Sequence, residues 1–200
     1  MPRTRTNGTS AINPDQHYTY ADYKTWPDGE HWELIDGKAY PLFGMSPAPR
    51  RRHQAFSGRL FSQLDRFFEG KPCSLYDSPI DVFLPEGDEA LGDIDKVVQP
   101  DLLVVCDRSK LIDEGIRGAP DFIIEILSPG TAMVDQTEKR QLYEKHGVRE
   151  YWIVNPETFE VLQYRIKSRI YGLPSVADLR QPCPVAIFEG LTLKVRAEDF

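Results

Sequence analysis

The sequence predicts a mixed α/β fold: a curved mixed β-sheet carrying one long helix and one shorter helix. Three observations lead there. Runs of strand-forming residues outnumber helical stretches. Only two long stretches place apolar residues at helical spacing. Strands and helices also follow one another in mixed order, rather than in separate blocks. With 200 residues, 40% hydrophobic and 28% charged, the chain suits one soluble globular domain with a proper core.

The N-terminal stretch MPRTRTNGTSAINPDQH is rich in Gly, Ser, Thr, Asn and Pro. It reads as a flexible tail over residues 1–16, followed by a single domain over 17–200. It lacks the apolar centre of a secretory signal. TYADYKTW is expected to form a short helix capped by Thr19. HWELIDGKAYPL reads as a hairpin turning at Asp36-Gly37. MSPAPRRRH is a Pro-rich loop that turns basic. From Arg52 to Glu69, Phe56, Leu60, Leu64, Phe67 and Phe68 fall at helical spacing, and Gly70 follows as a stop.

SLYDSPIDVFLPEG reads as one strand, and GDEALGDIDK as an acidic loop. VVQPDLLVVCD and GAPDFIIEILSPG are the two strongest strands, joined by a polar connection. The second, shorter helix is expected from about Asp135 to His146, with Gly147 as its C-cap. EYWIVNP and EVLQYRI form a hairpin, and CPVAIFEGLTLKV a closing pair of short strands.

The two strongest strands each contain a carboxylate where an interior strand should have none. Asp101 opens Leu-Leu-Val-Val, and Glu125 sits within Phe-Ile-Ile-Glu-Ile-Leu. Alternation puts Glu125 on the face of Ile123 and Leu127, and Asp101 on that of Leu103 and Val105. An isolated carboxylate there is costly and must protonate or find a partner. The partner is an Arg or Lys, a set of backbone donors, or a metal cation. Two carboxylates on adjacent strands, with a backbone carbonyl beside them, suit Mg²⁺. Their separation in sequence fits one strand, a loop and a return.

In the second helix Lys139, Leu142, Tyr143 and His146 share one face, and Leu142 marks it as the inward one. Lys139 is therefore expected to point at the sheet, near the Glu125 strand. There it orients a water and stabilises developing phosphate charge, or else forms a structural ion pair with Glu125. DQTE reads as a capping box, so Asp135 is expected to be a helix cap. Tyr143 and Trp152 read as core, and His146 as covering the helix C-terminus.

These residues carry a resemblance. PD at 100–101, with an acidic residue in a following apolar strand, resembles the PD-(D/E)XK restriction-endonuclease-like superfamily. More closely, the chain resembles the Uma family of restriction-endonuclease-like proteins. The matching segments are WELIDGKAYPL, SPAPRRRHQAFSGRLFSQL, VVQPDLLVVCD, GAPDFIIEILSPGT, DQTEKRQLYEKHGVREYWIVNP and EVLQYRI, in order across most of residues 30–166. The resemblance implies a restriction-endonuclease-like core and a metal-dependent endonuclease acting on DNA in bacterial cytoplasm. Asp101 and Glu125 would be catalytic metal ligands for Mg²⁺ or Mn²⁺. The superfamily's usual lysine position is Leu127 here, and Lys139 matches the arrangement of those members that place the lysine on the following helix. Glu33, His53 and Asp81 are additional candidates at the same site. Arg50, Arg51, Arg52 and Arg140 would form a basic rim for nucleic acid, or pair with neighbouring acids on a solvated surface.

Composition bears on partners too. A net charge of −7 argues against strong non-specific nucleic-acid binding, though not against a local basic face. The alternative function is an inactive nuclease-fold module that binds nucleic acid or a partner protein. A further one is a hydrolase of RNA or nucleotides. No stretch reaches the roughly 20 apolar residues of a membrane span. A homodimer is compatible with cutting two strands under a two-fold axis. Cys73, Cys106 and Cys183 are odd in number and far apart, which predicts reduced thiols in a cytoplasm.

Overall fold

The computed structural model describes residues 12–13, 15–27, 32–42, 51–128 and 132–200. Most of the expected N-terminal tail, the Pro-rich loop with Arg50, and residues 129–131 lie outside the described residues.

Helix α1 (Tyr20–Tyr23) begins at Thr19, whose N–H donates to the Asp22 carboxylate at 2.9 Å. Strands β1 (Trp32–Ile35) and β2 (Lys38–Pro41) form the expected hairpin. Its turn holds Asp36 at φ +48° and Gly37 at φ +75°, the left-handed conformations that Asp-Gly adopts readily. Helix α2 (Arg51–Phe68) buries Phe56, Leu60, Leu64 and Phe68, as their spacing requires.

The stretch read as one strand divides into β3 (Ser74–Asp77) and β4 (Val82–Phe83), which join different sheets. Ser78 and Pro79 break the run between them, so its two halves satisfy separate partners. Next come β5 (Val97–Val98), β6 (Leu102–Val105), β7 (Leu111–Ile112), β8 (Gly115–Arg117) and β9 (Phe122–Ile126). The second, shorter helix starts earlier than expected. It comprises α3 (Ala132–Val134), a wider π-helical turn over Asp135–Lys139, and α4 (Arg140–His146), with Gly147 as C-cap. Then follow β10 (Glu150–Val154), β11 (Glu160–Lys167), β12 (Ile170–Tyr171), β13 (Ser175–Asp178), β14 (Cys183–Pro184) and β15 (Thr192–Leu193).

Two mixed sheets result, plus the β14–β15 ribbon. One runs β2-β1-β5-β4-β8-β7. The other runs β12-β11-β10-β9-β6-β3, with β13 also paired to β11. β9 is parallel to β10 and antiparallel to β6. Alternation in the second sheet decides what packs where. Leu102, Val104, Phe122, Ile124, Trp152 and Val154 face α2. Leu103, Val105, Ile123, Tyr151 and Ile153 face α4 and the first sheet. Among the described residues no helix is long and apolar enough to cross a membrane.

The expectation of reduced thiols is overturned at one pair. Cys73 and Cys106 form a disulfide, and Cys183 is free and buried. The reason is register. β3 and β6 are antiparallel with Ser74 opposite Val105, so the residues just beyond, Cys73 and Cys106, face each other. That juxtaposition spans 33 positions of sequence, and spacing alone does not reveal it.

Candidate active site

β6 and β9 are neighbours, with Leu102 opposite Ile124. Asp101 and Glu125 therefore meet at the end of the pair. The Asp101 N–H donates to Glu125 Oε2 at 3.3 Å, and the Ile126 N–H donates to Asp101 Oδ2 at 2.7 Å. Asp101 keeps some exposure, whereas Glu125 is buried.

Behind Glu125 lies Lys139, 2% exposed. Its ammonium is 2.8 Å from Glu33 Oε1, 3.0 Å from Glu125 Oε1 and 3.3 Å from Asp135 Oδ1. The wide helical turn matters here, because it brings Asp135 and Lys139 to the same inward side, four residues apart. The Tyr143 hydroxyl donates to Glu125 Oε1 at 2.9 Å. Glu33 Oε1 also accepts the Gln99 N–H at 2.8 Å. The inward lysine read from helical spacing is thus in place, and Glu33 joins it.

Two residues belong to this cluster that sequence reasoning assigned elsewhere. Asp135 is not a helix cap: it lies a turn inside the helix and is buried against Lys139. Tyr143 is buried as expected, but its hydroxyl is spent on the candidate acid. The available signal was the i, i+4, i+8 spacing of Asp135, Lys139 and Tyr143, which marks one helix face.

The electrostatics follow from burial. Burial raises Glu125 well above the usual carboxyl range; Lys139 opposes the shift, and Asp135, Asp101 and Glu33 add to it. Glu33 is raised for the same first reason, against the pull of Lys139. Burial alone would lower Lys139, but Glu125, Glu33 and Asp135 outweigh it and hold the ammonium charged well above its ordinary value. Burial and Glu125 push the Tyr143 phenol up, so it stays a donor.

His53, near the start of α2, reaches Asp101 Oδ2 with Nε2 at 3.2 Å. Burial lowers its pKa, but the Asp101 hydrogen bond and charge outweigh that and leave it raised. His53 and Arg52 line an apolar-walled pocket of 280 Å³ with Leu127, Ser128, Asn155 and Pro156. Arg52 is tethered there, donating to the Pro156 carbonyl at 2.6 Å and lying over the Phe159 ring. Arg51 is exposed, and Arg140 lies 3.7 Å from Glu144. Asp81 is elsewhere: it lines a separate cavity and connects to the cluster through Gln99, whose Nε2 donates to Asp81 Oδ1 at 2.7 Å.

Does this donor set suit a divalent cation? Four carboxylates, those of Asp101, Glu33, Glu125 and Asp135, share one ammonium and one histidine. Negative charge is therefore in surplus, and Asp101 and Glu125 offer hard anionic oxygens side by side. The described residues contain no ready-made group of three ligating side chains. A cation here would take two side-chain ligands and complete its shell from backbone and water, which is the usual habit of Mg²⁺. The residues fit the ion.

Comparison with known proteins bears on the family and the fold. A family model, Uma2, described as "Putative restriction endonuclease", matches residues 20–196. The "Uncharacterized protein slr1290" of Synechocystis sp. is 24% identical over 146 residues, covering 72% of this chain and 71% of that protein. The crystal structure of "a putative nuclease belonging to DUF820" from Anabaena variabilis aligns with a TM-score of 0.68 at 22% identity. That alignment covers 88% of this chain and 94% of that one. At such identity the likeness establishes the fold.

Proposed function

The chain belongs to the Uma2 family, and from that premise we propose that it is a Mg²⁺- or Mn²⁺-dependent endonuclease hydrolysing DNA phosphodiester bonds. One observation carries the reading. Asp101, Glu125 and Lys139 converge although Leu127 occupies the usual lysine position, and Lys139 Nζ lies 3.0 Å from Glu125 Oε1.

Asp101 and Glu125 would hold the ion. Bound there, it would polarise the phosphate and lower the pKa of an attacking water. The rest falls to the chain itself. Lys139 and Tyr143 fix Glu125 from behind, through its Oε1. The Ile126 N–H and His53 fix Asp101 through its Oδ2. The pocket lined by His53 and Arg52, where Glu157 lies 3.7 Å from Arg52, would admit the phosphate beside the His53–Asp101 pair. Held this way, the carboxylates are preorganised and need little rearrangement on reaction.

The test is plasmid cleavage in Mn²⁺ by wild type and Asp101→Asn. Cleavage by wild type alone, with both proteins folded by circular dichroism, is expected. A variant that cuts as well as wild type removes Asp101 from the mechanism.

A second reading has its own support. Lys139 is almost fully buried and shared among three carboxylates, which suits a structural counter-ion better than a group meeting substrate. On that reading the chain is an inactive nuclease-fold module that binds DNA or a partner protein. DNA retention in EDTA without cutting in Mn²⁺ supports it. Cutting rejects it.

A further inference from the structure

The pocket beside the candidate site has a lining that a phosphate alone does not explain. It holds 280 Å³ at the C-terminal ends of the parallel strands β9 and β10. Leu127 and Ser128 follow β9, and Asn155 and Pro156 follow β10. The Leu127 N–H donates to the Val154 carbonyl at 2.8 Å and so ties the two strand ends together. Ala132, opening α3, and Arg52 and His53, near the start of α2, close the sides. Such a crevice beyond the carboxyl ends of parallel strands is a common seat for a ligand.

Leu127, Ala132 and Pro156 make the walls apolar. Arg52 adds a fixed plane. Its Nε donates to the Pro156 carbonyl at 2.6 Å, and its guanidinium lies over the Phe159 and Phe200 rings, 5.3 and 5.7 Å from their centroids. Glu157 also lines the pocket and, 3.7 Å from Arg52, offsets its charge. The Arg52 side chain is still 28% exposed. A held, charge-compensated guanidinium plane suits stacking by a flat uncharged ring. Asn155 Oδ1 accepts the Glu157 and Thr158 N–H groups at 2.9 and 3.3 Å, so its Nδ2 donor is what it has left for a ligand.

This lining discriminates between the parts of a nucleotide. A phosphate has no use for three apolar walls, and Glu157 repels it from that end. A nucleobase buries its faces on apolar side chains or a guanidinium plane, and its ring edge offers acceptors to a donor. His53 joins the pocket to Asp101, with Nε2 3.2 Å from Oδ2. A nucleotide whose phosphate lies beside that pair can place its base, one sugar away, in the rest of the pocket. The volume is below the roughly 300–1,000 Å³ of most small-ligand pockets, so it suits one base and not a base pair.

We propose that this pocket takes a single unpaired nucleobase of the substrate strand, stacked on Arg52 and hydrogen-bonded by Asn155. The inference rests on the nuclease reading only for the place of the phosphate beside Asp101. Single-stranded or frayed DNA is then the preferred substrate, because a paired base must first leave its stack.

The test needs neither metal nor cleavage. The full ¹⁵N-labelled chain is titrated in EDTA with deoxyadenosine and thymidine, and with deoxyribose as the base-free probe. NMR follows the Arg52 Nε–H and Asn155 Nδ2–H signals. Both nucleosides should shift these signals to saturation, with deoxyribose weaker by about ten-fold or more. Ala132→Leu fills the pocket and should weaken both nucleosides by about ten-fold or more. Arg52→Lys, read at Asn155, keeps the charge but loses the plane and should weaken both as well. Gln136→Ala, exposed on the same helix, should bind as wild type. No saturable shift with either nucleoside overturns the proposal. So does deoxyribose binding as tightly as the nucleosides, or either folded pocket variant binding as wild type. Failure of the nuclease reading looks different: wild type would not cut plasmid in Mn²⁺, whatever the nucleosides do.

Discussion

Replacing Lys139 with Met tests the buried cluster directly. Methionine keeps much of the side-chain volume and removes the charge with its hydrogen bonds. The ammonium lies 2.8–3.3 Å from Glu33, Glu125 and Asp135, and all four groups are buried. Removing one partner of a buried ion pair costs about 3–5 kcal/mol, because the other charge is left uncompensated. For a chain of this length that corresponds to a fall in Tm of roughly 6–20 °C. The loss should depend on pH. Glu33 and Glu125 are already raised by burial, and without Lys139 they lose the charge that holds them down. A carboxyl whose folded pKa lies above its unfolded value stabilises the fold when protonated, and that contribution disappears as pH rises through the folded pKa. The deficit of Lys139→Met should therefore be smallest near the ordinary carboxyl value of 4.5 and grow as pH rises from there. Urea denaturation of both proteins across about pH 4.5–8 measures it. A variant as stable as wild type at the upper end, or a deficit that does not change with pH, refutes the idea that Lys139 is the counter-ion of this cluster.

Other outcomes follow from the same geometry. Tyr143→Phe removes the hydroxyl bonded to Glu125 at 2.9 Å and should cost about 0.5–1.5 kcal/mol in urea denaturation, as for an ordinary buried hydrogen bond. It should also weaken Mn²⁺ binding by calorimetry if Glu125 is a ligand; unchanged affinity would leave Tyr143 a purely structural donor. Cys73→Ser opens a link that closes 33 residues of chain, a loss of roughly 3–4 kcal/mol by loop entropy. Alkylation of the unfolded, unreduced wild type should modify Cys183 alone, and modification of all three cysteines would remove the disulfide. Leu60→Ala, at the centre of the α2 contact, should cost about 2–5 kcal/mol, and a cost under 1 would mean that α2 does not pack on the sheet as described.

Much of the fold was legible in the sequence, and for local reasons. Asp-Gly fixes the β1–β2 turn, because few other pairs accept its backbone angles. The Phe56, Leu60, Leu64 period fixes the buried face of α2. Two acids inside apolar runs identified Asp101 and Glu125, because a strand interior does not tolerate charge without a partner. Lys139 was legible because Leu142 and Tyr143 orient its helix. Each inference needed only a few neighbouring residues.

What required the tertiary structure was partner choice. Periodicity says which face of an element is buried, but not what lies across from it. Register alone set Cys73 opposite Cys106 and drew β3 and β4 into different sheets. Likewise, Asp135 reads locally as a helix cap. Only the crossing of the second helix over β9, together with its wide turn, carries Asp135 inward to share Lys139 with Glu33, from a hairpin more than ninety positions away. The sequence by itself determined the main helices, the β1–β2 hairpin and the two acids in its strands. Packing decided which distant charges neutralise one another, because the cost of burying a charge depends on the whole set of groups brought around it.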